Sequence, residues 1–180
     1  MADHMDDLEF AVEHDVPIPY IRRISTYYQT LGYGKPYRWA QYTNVPFTKL
    51  TKPLSESRLA LVTTAAPYQP DKGDQGPGAA YNSAAKFYKV YTQSIEGEPD
   101  TRVSHIGIDR KHTTAEDSRT WFPLAQLKRL AAEGRVKDLT PEFIGAPTNR
   151  SQKVTIEQDC VDILAHCRLM QADVAVIVAN

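Results

Sequence analysis

The densest group of side chains able to bind a ligand or move a proton lies between Ser104 and Asp117, where His105 and His112 stand with Asp109, Glu116 and Asp117. Two imidazoles and three carboxylates in so short a stretch suit binding and protonation of a small substrate. A metal-dependent hydrolase or lyase is the alternative. It needs a fold that converges His105, Asp109 and His112, with Asp117 beside them, and spacing alone assigns no metal ligand. A solvated loop is the third reading. Further on, Arg150 in Thr148-Asn149-Arg150-Ser151 can grip a carboxylate with its planar fork, although the same residues suit an ordinary surface turn.

Two other groups invite chemistry and fit it less well. Residues 69–78, Gln-Pro-Asp-Lys-Gly-Asp-Gln-Gly-Pro-Gly, occupy the place of a phosphate-cradling loop. Pro77 has no N–H to offer, however, and Asp71 and Asp74 repel phosphate. A turn-rich loop bordering a site, or a plain surface loop, fits better. Cys160 and Cys167 share an apolar helical spacing with Ile156 and Ile163. Seven residues of helix separate Cα atoms by about 10 Å, beyond the reach of a disulfide. Both thiols are therefore expected to be buried, unbridged core residues.

The elements that must position these groups alternate. Residues 59–63 and 102–106 read as strands, and 173–180 as a buried parallel strand of the kind covered on both faces. With no helix after it, however, residues 174–178 are expected to be covered on one face only unless a partner fills the gap. Helical spacing marks residues 79–91, a helix opened by Pro123 and closed by Gly134, and a helix over 155–170, with a loop from 139 to 153. The expected fold is α/β: a mostly parallel open sheet, Rossmann-like or flavodoxin-like, with helices on both faces, incomplete at the carboxyl end. Parallel strands put their carboxyl ends on one side, so the polar loop and the loop after Thr63 are expected to line one cleft there. Residues 1–53 divide off as a helix, with Ile21, Ile24, Tyr28 and Leu31 on one face, and an extended aromatic arm laid across a surface, through which the chain could alternatively dock as a non-catalytic subunit of a larger complex. Residues 54–180 form the partial α/β domain. Trp121 and Phe122 are expected to anchor the polar loop to the core.

With 21 Lys and Arg against 22 Asp and Glu, the chain has no basic field for nucleic acid or an anionic membrane. Its acidic start lacks the pattern of a signal peptide. A cytoplasmic protein with a small-molecule ligand is the expectation, and a homo-oligomer is left open.

Several segments taken in order resemble the glycine/sarcosine/betaine/D-proline reductase selenoprotein B family. They are Tyr37-Arg38-Trp39 with Val45-Pro46-Phe47, Pro53-Leu54-Ser55 leading into 59–64, His105 through Phe122-Pro123-Leu124, Leu130-Ala131-Ala132-Glu133-Gly134, and the closing run 173–178. The resemblance implies a subunit that reductively cleaves a carbon–nitrogen bond of an amino acid or its methylated form, together with a pyruvoyl-bearing partner subunit. In that family a cysteine or selenocysteine opens a C/U-P-x-C motif directly after the last strand. The implied attacking group therefore falls just beyond Asn180, and no catalytic residue is expected within the chain. The expectation that follows is a reading frame cut at a selenocysteine codon, with an artificial boundary or a frameshift as the alternative.

Overall fold

A computed structural model describes residues 16–34, 41–76, 79, 82–103, 112, 117–149 and 151–179. The chain divides into two compact units, Met1–Val45 and Pro46–Asn180, a boundary somewhat earlier than the one after residue 53 expected from the sequence.

In the first unit, α1 (Tyr20–Thr30) ends where Gly32 takes φ +80°. The N–H groups of Gly32 and Tyr33 donate back to Gln29 and Tyr28, so a left-handed glycine closes the helix. The expected stripe of Ile21, Ile24, Tyr28 and Leu31 is present on α1, but all four side chains are exposed.

The second unit is built on β1 (Arg58–Thr63). β7 (Val174–Val178) runs parallel along one edge, from Leu59↔Val174 to Thr63↔Val178. A strand has only two edges, so β5 (Asp138–Leu139) and β6 (Glu142–Gly145) share the other, both parallel to β1. They are halves of one interrupted strand. Thr140 still donates to Leu59, and the break falls at Pro141, which has no N–H for the ladder. β3 (Tyr91–Ser94) closes that side antiparallel to β6.

Each face carries a helix. α2 (Leu124–Ala132) lays Leu124 and Leu127 against Leu59, Leu61 and Phe143. A π-turn (Thr155–Asp159) joins α3 (Gln152–Val154) to α4 (Cys160–Leu169), and α4 brings Ile163 and Cys167 onto Val62 and Ile144. The fold is thus mixed α/β with a mostly parallel sheet, as expected.

Five details differ from the sequence reading. The strand expected over 102–106 is, within the described residues, the short β4 (Thr101–Arg102), paired antiparallel with β2 (Ala66–Pro67) in a separate sheet. The helix expected over 79–91 is a 3₁₀ turn (Ser83–Ala85), started by the Asn82 side chain, followed by β3. Phe87 and Tyr91, spaced as in a helix, meet edge to face at 5.2 Å from non-helical chain. The expected loop 139–153 holds β6, whose Phe143 and Ile144 are fully buried. Finally, Cys160 is exposed and Cys167 half-buried, both unbridged. The wider π-turn shifts the helical phase, so Ile156 and Cys160 leave the stripe that Ile163 and Cys167 keep. Phe47 and Leu50, expected in an arm packed on a surface, are also exposed.

Candidate functional site

The parallel strands β1, β6 and β7 all end on one edge of the sheet. Thr64 N–H donates to the Val178 carbonyl and Ala146 N–H to the Thr63 carbonyl, which holds the three carboxyl ends together. α2 covers one face of the sheet and α4 the other, and the crevice beyond the carboxyl ends of such strands is where open α/β sheets bind ligands.

Tyr91 covers part of that crevice. Its hydroxyl donates to the Ala65 carbonyl at 2.8 Å, and burial pushes its pKa up. The ring lies so close over Gly145 that a Cβ there would meet it at 1.7 Å, so only glycine fits.

On the α2 face, beside the end of β1, lies a cavity of about 680 Å³. Among the described residues, four parts of the sequence line it: residues 74–76 of the glycine-rich loop, Ala79, Asn82 and Ala85 after it, the β2–β4 ribbon with the turn before β4, and residues 117–128. The Thr63 hydroxyl donates to the Trp121 carbonyl at 2.9 Å, and the Trp121 and Phe122 side chains are buried; most of the polar loop they are expected to anchor lies outside the described residues. Phe122 packs on Phe143 with ring centroids 4.6 Å apart. The glycine-rich loop is tied internally, since the Gln75 amide accepts from Gln69 N–H and donates to Gln69 O.

Both signs of charge line the cavity. Arg119 grips Asp117 with Nε and Nη2, each at 2.7 Å, and this hydrogen bonding holds the Asp117 carboxyl below its usual range. Arg102 Nη2 donates to Asp100 at 2.8 Å, and its guanidinium lies 4.8 Å from the centre of the Tyr68 ring. Lys128 reaches the Gly97 carbonyl.

Of the side chains singled out in the sequence, the structure places Asp117 in this wall beside Asp74, Gln75 and Gly76. His112 is described but is not among the cavity's lining residues. His105, Asp109, Glu116 and Arg150 lie outside the described residues, as does Asn180. Among the described residues no three His, Cys, Asp or Glu side chains stand where they could share a metal ion, and no helix is long and apolar enough to cross a membrane. Thr101, Arg102 and the indole N–H of Trp121 are additions that sequence reasoning misses. Trp121 carries the one available signal, an aromatic directly after a polar loop, and its apolar bulk masks the donor it carries.

Comparison with known protein families, with curated proteins and with solved structures finds no match for this chain.

Proposed function

We propose that the chain is part of a selenoprotein B-like subunit of an amino-acid reductase of the glycine, sarcosine, betaine or D-proline type, acting in the cytoplasm beside a pyruvoyl-bearing partner. The resemblance of ordered segments supplies the chemistry. The observation that carries the reading is the cavity, with charges of both signs, beside the carboxyl end of β1. A Rossmann-like or flavodoxin-like sheet presents ligands at that edge. In this reading an ionised cysteine or selenocysteine attacks the substrate carbon and the amine leaves. A neighbouring thiol then resolves the adduct, so that the carbon is reduced as the chalcogen pair is oxidised.

The test begins with the nucleotide sequence after the Asn180 codon, expected to encode C/U-P-x-C. The protein read through with cysteine at that point, mixed with its partner and a dithiol, should release an amine from glycine, sarcosine or betaine, or open the ring of D-proline. No cleavage of any of the four, or a following sequence without that motif, overturns the proposal.

A further inference from the structure

α4 is apolar on two sides. Ile163 and Cys167, with Met170 just past its end, pack on Val62 and Ile144 of the sheet. On the side turned away, Val161, Leu164 and Leu169 are exposed, Leu169 by 80%. Four-residue spacing sets Val161, Ala165 and Leu169 in one stripe, opposite the stripe of Ile163 and Cys167. A helix that is apolar all round is ordinarily covered all round. Beside α4 the same face of the sheet is open at β7: Ile177 pairs in register with Val62, which α4 covers, yet Ile177 is 72% exposed. Val161, Leu164, Leu169 and Ile177 leave roughly 500 Å² open, and the exposed Ala165 and Ala175 with a polar rim bring the patch toward the about 800 Å² that each partner gives to a standard interface.

The charges beside this stripe say what fits it. Asp162 stands in the first turn of α4, and His166 and Arg168 in its last. At 3.6 residues per turn, Asp162 and Arg168 flank the stripe, one on either side, and both are exposed. A second copy of the helix laid antiparallel across a two-fold axis sets each acidic turn against the other's basic turn and opposes the two helix dipoles. A parallel arrangement sets like against like. The face is complementary to itself. We propose that two copies of the chain pair through it, α4 against α4 and antiparallel, with Ile177 at the margin of the contact. The pairing stands apart from the reductase reading.

The test is sedimentation equilibrium of the full chain at low salt, with a reductant so that the exposed Cys160 forms no disulfide. The wild type should show a monomer–dimer equilibrium. Asp162→Arg and Arg168→Asp each set like charges together at two symmetry-related places, and each should weaken the dimer about tenfold. The double exchange restores opposite charges across the axis and should return the dimer to within about threefold of wild type. Such rescue requires the two ends of α4 to meet between copies, which neither a foreign partner nor unspecific aggregation demands. Leu169→Lys should weaken the dimer at least about tenfold by charging the apolar stripe of both copies. Urea midpoints in dilute protein should agree among all these variants, because the altered side chains are exposed. A wild type that stays monomeric at high micromolar concentration overturns the pairing and leaves the face to a different protein. Single exchanges that associate like wild type, or a double exchange no better than the singles, overturn it as well.

Discussion

β1 and β7 are close in composition and paired residue for residue, yet they live in different surroundings. Leu59, Ala60, Leu61, Val62 and Thr63 are all buried, because β1 has strands on both edges and a helix over each face. Along β7 the side chains alternate. Val174, Val176 and Val178 pack into the α2-side core, while Ala175 is exposed and Ile177 is 72% exposed. An apolar β-branched run therefore identifies a strand but not its place in the sheet. Being covered on both faces depends on helices far away in the chain.

The largest effect should come from the strand with neighbours all round. Leu61→Ala removes a side chain that is 3% exposed between α2 and the sheet, and should cost about 2–5 kcal/mol in urea unfolding. A loss under about 1 kcal/mol would mean that the interior of the sheet is no better packed than its edge. Gly145→Ala tests the same interior from the crevice side. The new methyl meets the Tyr91 ring at 1.7 Å, so the ring must leave and its bond to Ala65 breaks, for about 1–3 kcal/mol or more. Tyr91→Ala in the same chain should recover part of that loss if the clash is its cause.

The turn that delivers β7 carries strain that β1 does not. Gln171 is the only non-glycine residue with positive φ, at 55°, among those described. It closes α4 as Gly32 closes α1, with Ala172 N–H donating to Cys167 and Gln171 N–H to Arg168. Left-handed backbone costs a side-chain-bearing residue about 1–2 kcal/mol, so Gln171→Gly should raise the unfolding free energy by about 1 kcal/mol. An unchanged or lower midpoint would show that the glutamine makes up for its strain.

How much of the molecule is legible in its sequence follows the same division. β1, α1 and α2 announce themselves through local signals: an unbroken apolar run, leucines three apart, a glycine just past the end. β6 escapes notice because Phe143 and Ile144 are too short a run between Pro141 and Pro147 to stand out, and only pairing with β1 and β3 makes them a strand. Cys160 is misplaced by its spacing because a π-turn leaves no mark there. The candidate site is least legible. Its wall combines residues 97–103 and 117–128 with the loop at 74–76, which are far apart in sequence.

Both strands are fastened at their amino ends by carboxylates. Asp138 on β5 pairs with Arg58 at 2.8 Å, and Asp173, just before β7, accepts from Arg58 N–H and pairs with Lys52 at 2.7 Å. Hydrogen bonding from Arg58 holds Asp138, and from Lys52 and the Arg58 amide holds Asp173, below the ordinary carboxylate range. A lowered folded value means stability that is present above the unfolded pKa, near 4, and lost as pH falls through the folded one. The urea midpoint should therefore drop below about pH 4, and Asp173→Asn should drop less. These groups are solvent-exposed, so the effect is small. An equal drop in the variant would assign the acid sensitivity elsewhere.

The smallest effect on stability should come from the open face itself, and it is the one that most directly tests the comparison. Ile177 pairs in register with Val62, one buried under α4 and the other turned toward solvent. Ile177→Lys removes little buried area, so the unfolding free energy should change by no more than about 0.5 kcal/mol. An apolar edge strand with unpaired backbone is nonetheless a template for association, and Val161, Leu164 and Leu169 on the outer side of α4 are exposed as well. The wild-type chain should therefore sediment with concentration-dependent association, and the lysine should reduce it. If instead Ile177→Lys costs as much as Leu61→Ala, the outer face of β7 is covered in solution, and the difference between the two strands disappears.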